Sequence, residues 1–321
     1  MRMNEEIVIS LFDGISCGYV ALERADIVVK EYYASEIDKY AELISNKNYP
    51  NIVRLGDVRS VKIVDLPRKP TLILAGSPCQ GFSRAGNGLN FEHSGSKLFF
   101  EFIRILKEAR IFNPDVKFIL ENVKMKQEWQ DIISEIVGVE PIRINSKLLS
   151  AQTRDRLYWT NIEGISMPKD KNISLNEIIE SGDVDRDKSY CLDASYFKGT
   201  NAKQYLCKNR RQIVWIIPEA TKKGYVEVAE GECIDLSFIK SKTRRGRLML
   251  TKSNCLTATP GTFCKVTKDW FRLLTPLEME RLQTLPEGYT EGVSKSQRMK
   301  MIGNGWTVDV VAHILSFLQQ N

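Results

Sequence analysis

"LILAGSPCQGFSRAGNG", Leu72 to Gly88, runs from a stretch of apolar residues straight into a proline, a cysteine and a glycine-rich loop. A short apolar run bounded by Gly and Pro reads as a buried strand, here one that ends by presenting a thiol to a loop. Outward from it, "EEIVISLFDG", "VKEYYASEID" and "DVKFILENV" also read as strands, with "YVALERA", "KYAELISNK" and "SKLFFEFIRILKEARI" as helices between them. That alternation predicts a parallel, doubly wound α/β sheet. In the last of these helices Leu98, Phe99, Phe102, Ile103, Leu106 and Ile111 are spaced to cover one broad buried face.

From about Ser166 to about Lys265 the rhythm breaks into mixed, loop-rich sequence, after which "LLTPLEMERLQTL" and "VDVVAHILSFLQQ" restore helical periodicity. Residues 1–165 and 265–321 are therefore expected to form one domain, with 166–264 inserted as a smaller lobe. A chain of 321 residues with 43% hydrophobic content can bury a core for such a unit. Seven cysteines without a Cys-x-x-Cys pair argue against a disulfide framework or a metal site, and for a reducing compartment. The N-terminal stretch reaches Asp13 after one short apolar run, with no secretory h-region, and no later stretch approaches bilayer-spanning length. The expectation is a cytoplasmic protein without a membrane partner. A formal charge of +6 permits a polyanionic partner without demanding one.

In open α/β sheets ligands sit at the carboxyl ends of the strands, so what each strand delivers there matters most. The first leads into Phe12, Asp13, Gly14, Ile15 and Ser16, whose glycine lets the backbone turn tightly against a ligand. The full Gly-x-Gly-x-x-Gly pattern is missing, which disfavours a nicotinamide dinucleotide. The second ends in Glu36, placed to accept hydrogen bonds from ribose hydroxyls, and "GDVRS" puts Asp57 where a carboxylate can accept an adenine amine or cap a turn. This combination suits an adenosine-containing cofactor without phosphates.

The fourth strand delivers Cys79 and the fifth Glu121. A thiol in a turn at a helix start has a depressed pKa and becomes a usable nucleophile. A thiolate beside a carboxylic acid suits conjugate addition to an electron-poor ring, the sulfur adding at carbon while the acid stabilises a ring nitrogen.

Ser77-Pro78-Cys79-Gln80 followed by "GFS", and then "ENV", resemble the signature of the C5-cytosine DNA methyltransferases. Further blocks follow in the family's order: "LFDGISCG" is similar to its cofactor loop, "SAQTRDRLYW" to its Gln-x-Arg-x-Arg block, "RLLTPLEMERLQTLP" to its ninth and "MIGNGWTVDVV" to its tenth. Several stretches, among them "GDVRSV", "LFFEFIRIL" and Trp306, look closer to the vertebrate de novo branch, although Gln152 follows the bacterial pattern and a prokaryotic or phage source is expected.

The resemblance implies a Rossmann-like fold, S-adenosylmethionine as methyl donor and a flipped-out cytosine in duplex DNA as acceptor. It implies catalytic roles for Cys79, Glu121, Arg154 and Arg156, without dividing the work between the two arginines. Phe12, Asp13, Gly14, Ile15, Ser16, Glu36, Ile37, Asp57 and Val58 would contact the cofactor, and Leu98, Asn304, Gly305 and Trp306 would close its pocket. The loop after Cys79 would close on the base, with Gly81, Gly86, Gly88 and Gly95 giving it freedom and Ser83 and Arg84 touching DNA. In the lobe, Lys240, Lys242, Arg244, Arg245, Arg247 and Lys252 occur with no acidic residue between Phe238 and Gly261, a cluster suited to phosphates and guanine edges. Thr257 in "NCLTA" would anchor the end of this target-recognition region. A monomer or homodimer and a cognate restriction endonuclease fit the same family; a tRNA cytosine methyltransferase or an inactive DNA-binding homologue are the alternatives.

Overall fold

The computed structural model describes residues 5–77, 94–200, 205, 208–222, 224–226, 233–234, 243, 248–249 and 271–318. Cys79, Gly81, Ser83, Arg84, Gly86 and Gly88, and in the lobe Lys240, Lys242, Arg244, Arg245, Arg247, Lys252 and Thr257, lie outside them.

Seven strands form the central sheet: β1 (Glu6–Leu11), β2 (Val29–Ser35), β3 (Val53–Arg54), β4 (Leu72–Gly76), β5 (Lys117–Val123), β6 (Pro141–Asn145) and β7 (Asp155–Thr160), in the order β3-β2-β1-β4-β5-β7-β6. The first five are parallel and β7 runs antiparallel to both neighbours. Helices α1 (Cys17–Arg24), α2 (Lys39–Asn48), α3 (Ser94–Phe112) and α4 (Gln127–Val137) belong to the first half. After the lobe come α5 (Pro276–Leu282), α6 (Lys295–Asn304) and α7 (Val308–Leu315).

Both faces of the sheet are covered, which is why its inner strands read as continuous apolar runs rather than alternating ones. Val8, Leu74 and Ile119 face a core shared with α1 and α7, while Ile9, Ile73 and Leu120 face one shared with α3 and α4. Phe99, Phe102, Ile103 and Leu106 of α3 are buried and Leu98 is partly so. Ile111, expected on the same face, is instead 76% exposed. At about 100° per residue it stands about 180° around the helix from Phe102.

The doubly wound α/β sheet matches expectation, with one addition. The β6–β7 pair was not read as strands because "RLYWT" is largely buried on both faces and shows no period of two. A short connection, residues 146–154, joins the two without a crossover helix, so β7 enters antiparallel.

Among the described residues of the lobe regular structure is sparse: Ile213–Trp215 pairs with Phe271–Leu273, Ile217–Pro218 with Tyr225–Val226, and Cys233–Ile234 with Leu248–Met249, all antiparallel. Leu175, Leu192, Tyr196 and Val214 share a core with Met279 and Leu282 of α5 and Ile302 of α6. The lobe thus rests on the helices that follow it.

Candidate active site

The turn after β1 is held in an unusual conformation: Phe12, Gly14 and Ser16 all have positive φ, at 59°, 59° and 60°. Side chains hold it there. Asp13 accepts from Ser16 Oγ and, at 2.8 Å, from Tyr32 Oη, with Arg54 Nη1 3.9 Å from its other oxygen. Burial pushes the Asp13 carboxyl up from its usual range, so this side chain organises the turn from inside. Ile15 is likewise buried, its carbonyl accepting from Tyr289 Oη at 2.6 Å. Any ligand contact from these two positions is left to their backbone.

Glu36 ties the turn to the end of β2. Its Oε2 accepts Gly14 N–H at 2.7 Å, and its Oε1 accepts the N–H groups of Ile37 and Asp38 at 2.7 and 2.8 Å. The adjacent Ile37 is 75% exposed, an apolar side chain left open beside a carboxylate. Asp57 caps the short turn Val58–Ser60 by accepting Arg59 N–H at 3.0 Å, and the Arg59 guanidinium holds its carboxyl down at about 2. The structure shows the capping role of Asp57, with both carboxylate oxygens engaged by Arg59. Val58 is buried beneath it.

Trp306, half-buried after α6, lies against the end of β4 and the start of α1. A Cβ on Gly76 at the end of β4 would stand 2.7 Å from its Nε1, and one on Gly18 3.6 Å from its ring. Only glycine lets β4 approach the indole this closely, whereas at Gly18 the tight neighbours are Leu74 Cδ1 at 2.8 Å and Tyr32 Oη at 3.0 Å. Cys17 lies under Gly305, and burial pushes its thiol up to about 12, which makes it inert. Asn304 is exposed, and Leu98, like Phe12 and Leu55, is partly buried against the core on the α3 face of the sheet.

The second half of the site is built where β4, β5 and β7 run side by side. Gly76 is in register with Glu121, Glu121 with Tyr158, and Val123 with Arg156. Asn122 Nδ2 donates to Ser77 Oγ at 3.0 Å, fixing the peptide that enters Pro78 and Cys79. Arg156 Nε stands 2.8 Å from Glu121 Oε1, both side chains largely buried. The contact is an ion pair without an aligned hydrogen bond, since Arg156 Nε is left without a hydrogen-bond partner. Arg154 is buried too, but donates to carbonyls: Leu192 O at 3.0 Å, Gly305 O at 3.0 Å and Gly303 O at 3.4 Å. One arginine faces the acid, and the other joins the start of the lobe to the Gly303–Trp306 turn.

Sequence reasoning missed the supports. Gln152 is fully buried, accepts Leu192 N–H at 2.9 Å and donates to Leu282 O at 3.2 Å. Cys191 Sγ lies 3.6 Å from Arg154 and 3.8 Å from Arg156. Of these, only Gln152 carried a signal, as a polar residue inside a matched block.

A doubly wound sheet of seven strands, with a tight turn at β1 and carboxylates after β2 and β3, is the fold this chain shares with solved methyltransferases. Residues 7–320 match the family model of C-5 cytosine-specific DNA methylases, and the chain belongs to that family. It is 27% identical to the type II methyltransferase M.HaeII of Haemophilus aegyptius over 328 residues, covering 97% of this chain and 92% of that one. It is 26% identical to M.HpaII of Haemophilus parainfluenzae, covering 94% and 86%. Among solved structures, an Entamoeba histolytica methyltransferase superposes with a TM-score of 0.62 at 14% identity, covering 99% of this chain and 98% of that one. Dnmt2 of S. pombe does so with 0.60 at 15%, covering 98% and 99%.

The residues present fit S-adenosylmethionine, the methyl donor of this family. A Cβ on Gly14 would meet nothing within 4 Å, so the turn is open to a ligand, and Ile37 offers an apolar surface beside Glu36. Among the described residues no group of His, Cys, Asp and Glu could hold a metal ion, and no helix is long and apolar enough to cross a membrane.

Proposed function

We propose that this chain methylates C5 of a cytosine flipped out of a short, specific duplex DNA sequence, through a covalent bond between Cys79 and C6. The observation that carries the reading is the placement of Glu121: in register with Gly76, three residues before Cys79, and paired to Arg156 at 2.8 Å.

The chemistry follows from the weakness of cytosine C5 as a nucleophile. Cys79 thiolate adds to C6, the C5–C6 π electrons move into the ring, and negative charge develops toward N3. Glu121 delivers a proton or hydrogen bond to N3 and accepts one from the exocyclic amine, holding that charge. Arg156 keeps the Glu121 carboxyl in place, and Arg154 holds the Gly303–Trp306 turn against the start of the lobe. Phe12 to Ser16, Glu36, Ile37, Asp57 and Val58 hold the cofactor, closed in by Leu98, Asn304, Gly305 and Trp306. Bound there, S-adenosylmethionine supplies an electrophilic sulfonium methyl to C5. Loss of the C5 proton to water or hydroxide, with the electron pair expelling the Cys79 thiolate, restores the aromatic ring.

In this reading residues 166–264 are the target-recognition lobe, where Arg244, Arg245, Arg247, Lys252 and Thr257 engage the duplex together with Ser83 and Arg84 of the catalytic loop. The test is bisulfite sequencing of plasmid from cells lacking their own cytosine methylation and expressing the protein or Cys79→Ala. Protected cytosines in one short repeated context, absent in the variant, are expected. Equal patterns in both would remove Cys79 from the reaction, and methyl transfer to tRNA but not to duplex would reassign the substrate.

A further inference from the structure

Helix α2 follows directly from the strand end that carries Glu36 and Ile37. Its N-cap is Asp38, whose carboxylate accepts Tyr40 N–H at 3.0 Å. The backbone N–H of the same residue donates to Glu36 Oε1 at 2.8 Å, while the other oxygen of Glu36 takes Gly14 N–H at 2.7 Å. Asp38 is therefore one hydrogen bond away from the carboxylate that ties the turn after β1 to the end of β2.

A cation from the far end of the chain closes on that cap. Lys300 Nζ, in α6, donates to Asp38 Oδ2 at 2.7 Å. Burial opposes ionisation of Asp38, and Lys300 together with the Tyr40 N–H outweighs it, holding the carboxyl below its usual range. About one helical turn beyond Lys300 come Asn304, Gly305 and Trp306, the last with its indole against Gly76. The other end of α2 meets the same C-terminal segment through carbonyls: Lys47 Nζ donates to Glu291 O at 2.9 Å and Asn48 Nδ2 to Tyr289 O at 3.1 Å. At the near end, beside Ile37, the Lys300 and Asp38 side chains are 40% and 27% exposed, so salt can screen their contact and it can open without unpacking a core.

A methyltransferase must keep its donor through the chemistry and then let the spent cofactor go, and in many enzymes product release sets turnover. We propose that Lys300 is a positioning residue: its pair with Asp38 clasps α6 to the β2–α2 connection, keeps Glu36 on Gly14 and slows the departure of S-adenosylhomocysteine. The proposal rests on the reading of Glu36 and Gly14 as cofactor contacts.

Release of tritiated S-adenosylhomocysteine from the full chain, followed by rapid filtration after a chase with unlabelled compound, tests it. Lys300→Met keeps an unbranched side chain and removes the charge, and release is expected to quicken by about 2–5-fold, the range a partly exposed ion pair supports. Lys300→Arg should restore the slow rate, and Lys300→Met combined with Asp38→Asn should quicken release no further than either change alone. Raising salt to about 1 M should quicken release from the unmodified protein and not from Lys300→Met. Lys47→Met, at the other end of α2, is the control and should release at the unmodified rate. Release unchanged in Lys300→Met, or quickened equally in Lys47→Met, overturns the clasp. Glu36→Gln tests the reading beneath it: cofactor affinity unchanged in that variant overturns both, whereas affinity lowered there with release unchanged in Lys300→Met overturns the clasp alone.

Discussion

The catalytic edge of the sheet and the lobe inserted after it solve the same problem, holding polar groups in fixed places, by different means. At the edge, the ladder does the holding: Gly76, Glu121 and Tyr158 are register partners on three adjacent strands, and Ser77 is tied to Asn122. In the lobe and at its seam with α5, strands of two or three residues cannot do this, and buried side chains substitute: Gln212 within its own loop, and Arg272, just after the lobe, reaching both Ser181 O and Glu278. A group held by backbone register tolerates change in its neighbours, whereas one held by side chains depends on each of them. Function and stability should therefore separate in one region and travel together in the other.

The largest effect expected on either side of that comparison is at Glu121. Glu121→Gln keeps the shape and an acceptor but removes the acid, and single-turnover methyl transfer to duplex should slow by about 10²–10⁴-fold. Binding of S-adenosylhomocysteine by titration calorimetry should be unchanged, because the cofactor turn is held from Glu36 and Asp13 and not from β5. A rate within tenfold of the unmodified protein would show that register alone does not make Glu121 the proton donor.

The same division explains what could be read in advance. Strand ends leave short motifs, so "LFDG", "SPCQ" and "ENV" placed the turn, the thiol and the acid in the sequence, and the structure brings the turn, Glu36, Asp57 and Trp306 around one end of the sheet. Which arginine faces Glu121 was not legible, because Arg154 and Arg156 share one face of a strand and differ only in what lies across from them. Ile111 was misplaced because an apolar residue close in sequence to a buried arc looks like part of it, although at five residues past Leu106 it has turned away to the exposed side. The lobe and its seam with α5 resisted reading for the opposite reason: Gln212, Arg272 and Glu278 form no periodic pattern, and Ser181 and Glu180, which meet Arg272 and Glu278, are more than ninety residues away.

Glu278, on the helix against which the lobe rests, sharpens that side of the comparison. Its side chain is wholly buried, pairs with Arg272, accepts Glu180 N–H at 2.8 Å and completes a capping box with Thr275 at the start of α5. Glu278→Ala leaves the Arg272 guanidinium buried and unpaired, at a cost of about 3–5 kcal/mol. The urea midpoint should fall accordingly, and affinity for duplex should fall with it as the lobe loosens on α5. Cofactor affinity measured below the transition should change far less. If cofactor binding is lost in proportion, the lobe and the sheet are one cooperative unit and the separation fails.

The smallest expected effect is at the cofactor turn, where the sheet half borrows the lobe's method. Asp13 is buried among Ser16, Tyr32 and Arg54, and burial raises its pKa above 3.8 more than those partners lower it. The folded chain therefore holds a proton on this carboxyl at pH values where the unfolded chain has already lost it. Between 3.8 and the higher native value the contribution of Asp13 to stability must fall as pH rises, and it stays lower above that window. Asp13→Asn removes the titration while keeping an acceptor for Ser16 and Tyr32. Urea midpoints compared from acid to neutral pH should show the variant gaining on the unmodified protein as pH rises through the window. Parallel profiles would mean that Arg54, with Nη1 3.9 Å from the carboxylate, compensates the buried charge in full. The choice matters for the turn itself: Phe12, Gly14 and Ser16 are all left-handed, and an ionised Asp13 holds Ser16 in that conformation more firmly than a protonated one. The same ionisation that lowers stability thus tightens the turn that receives the cofactor.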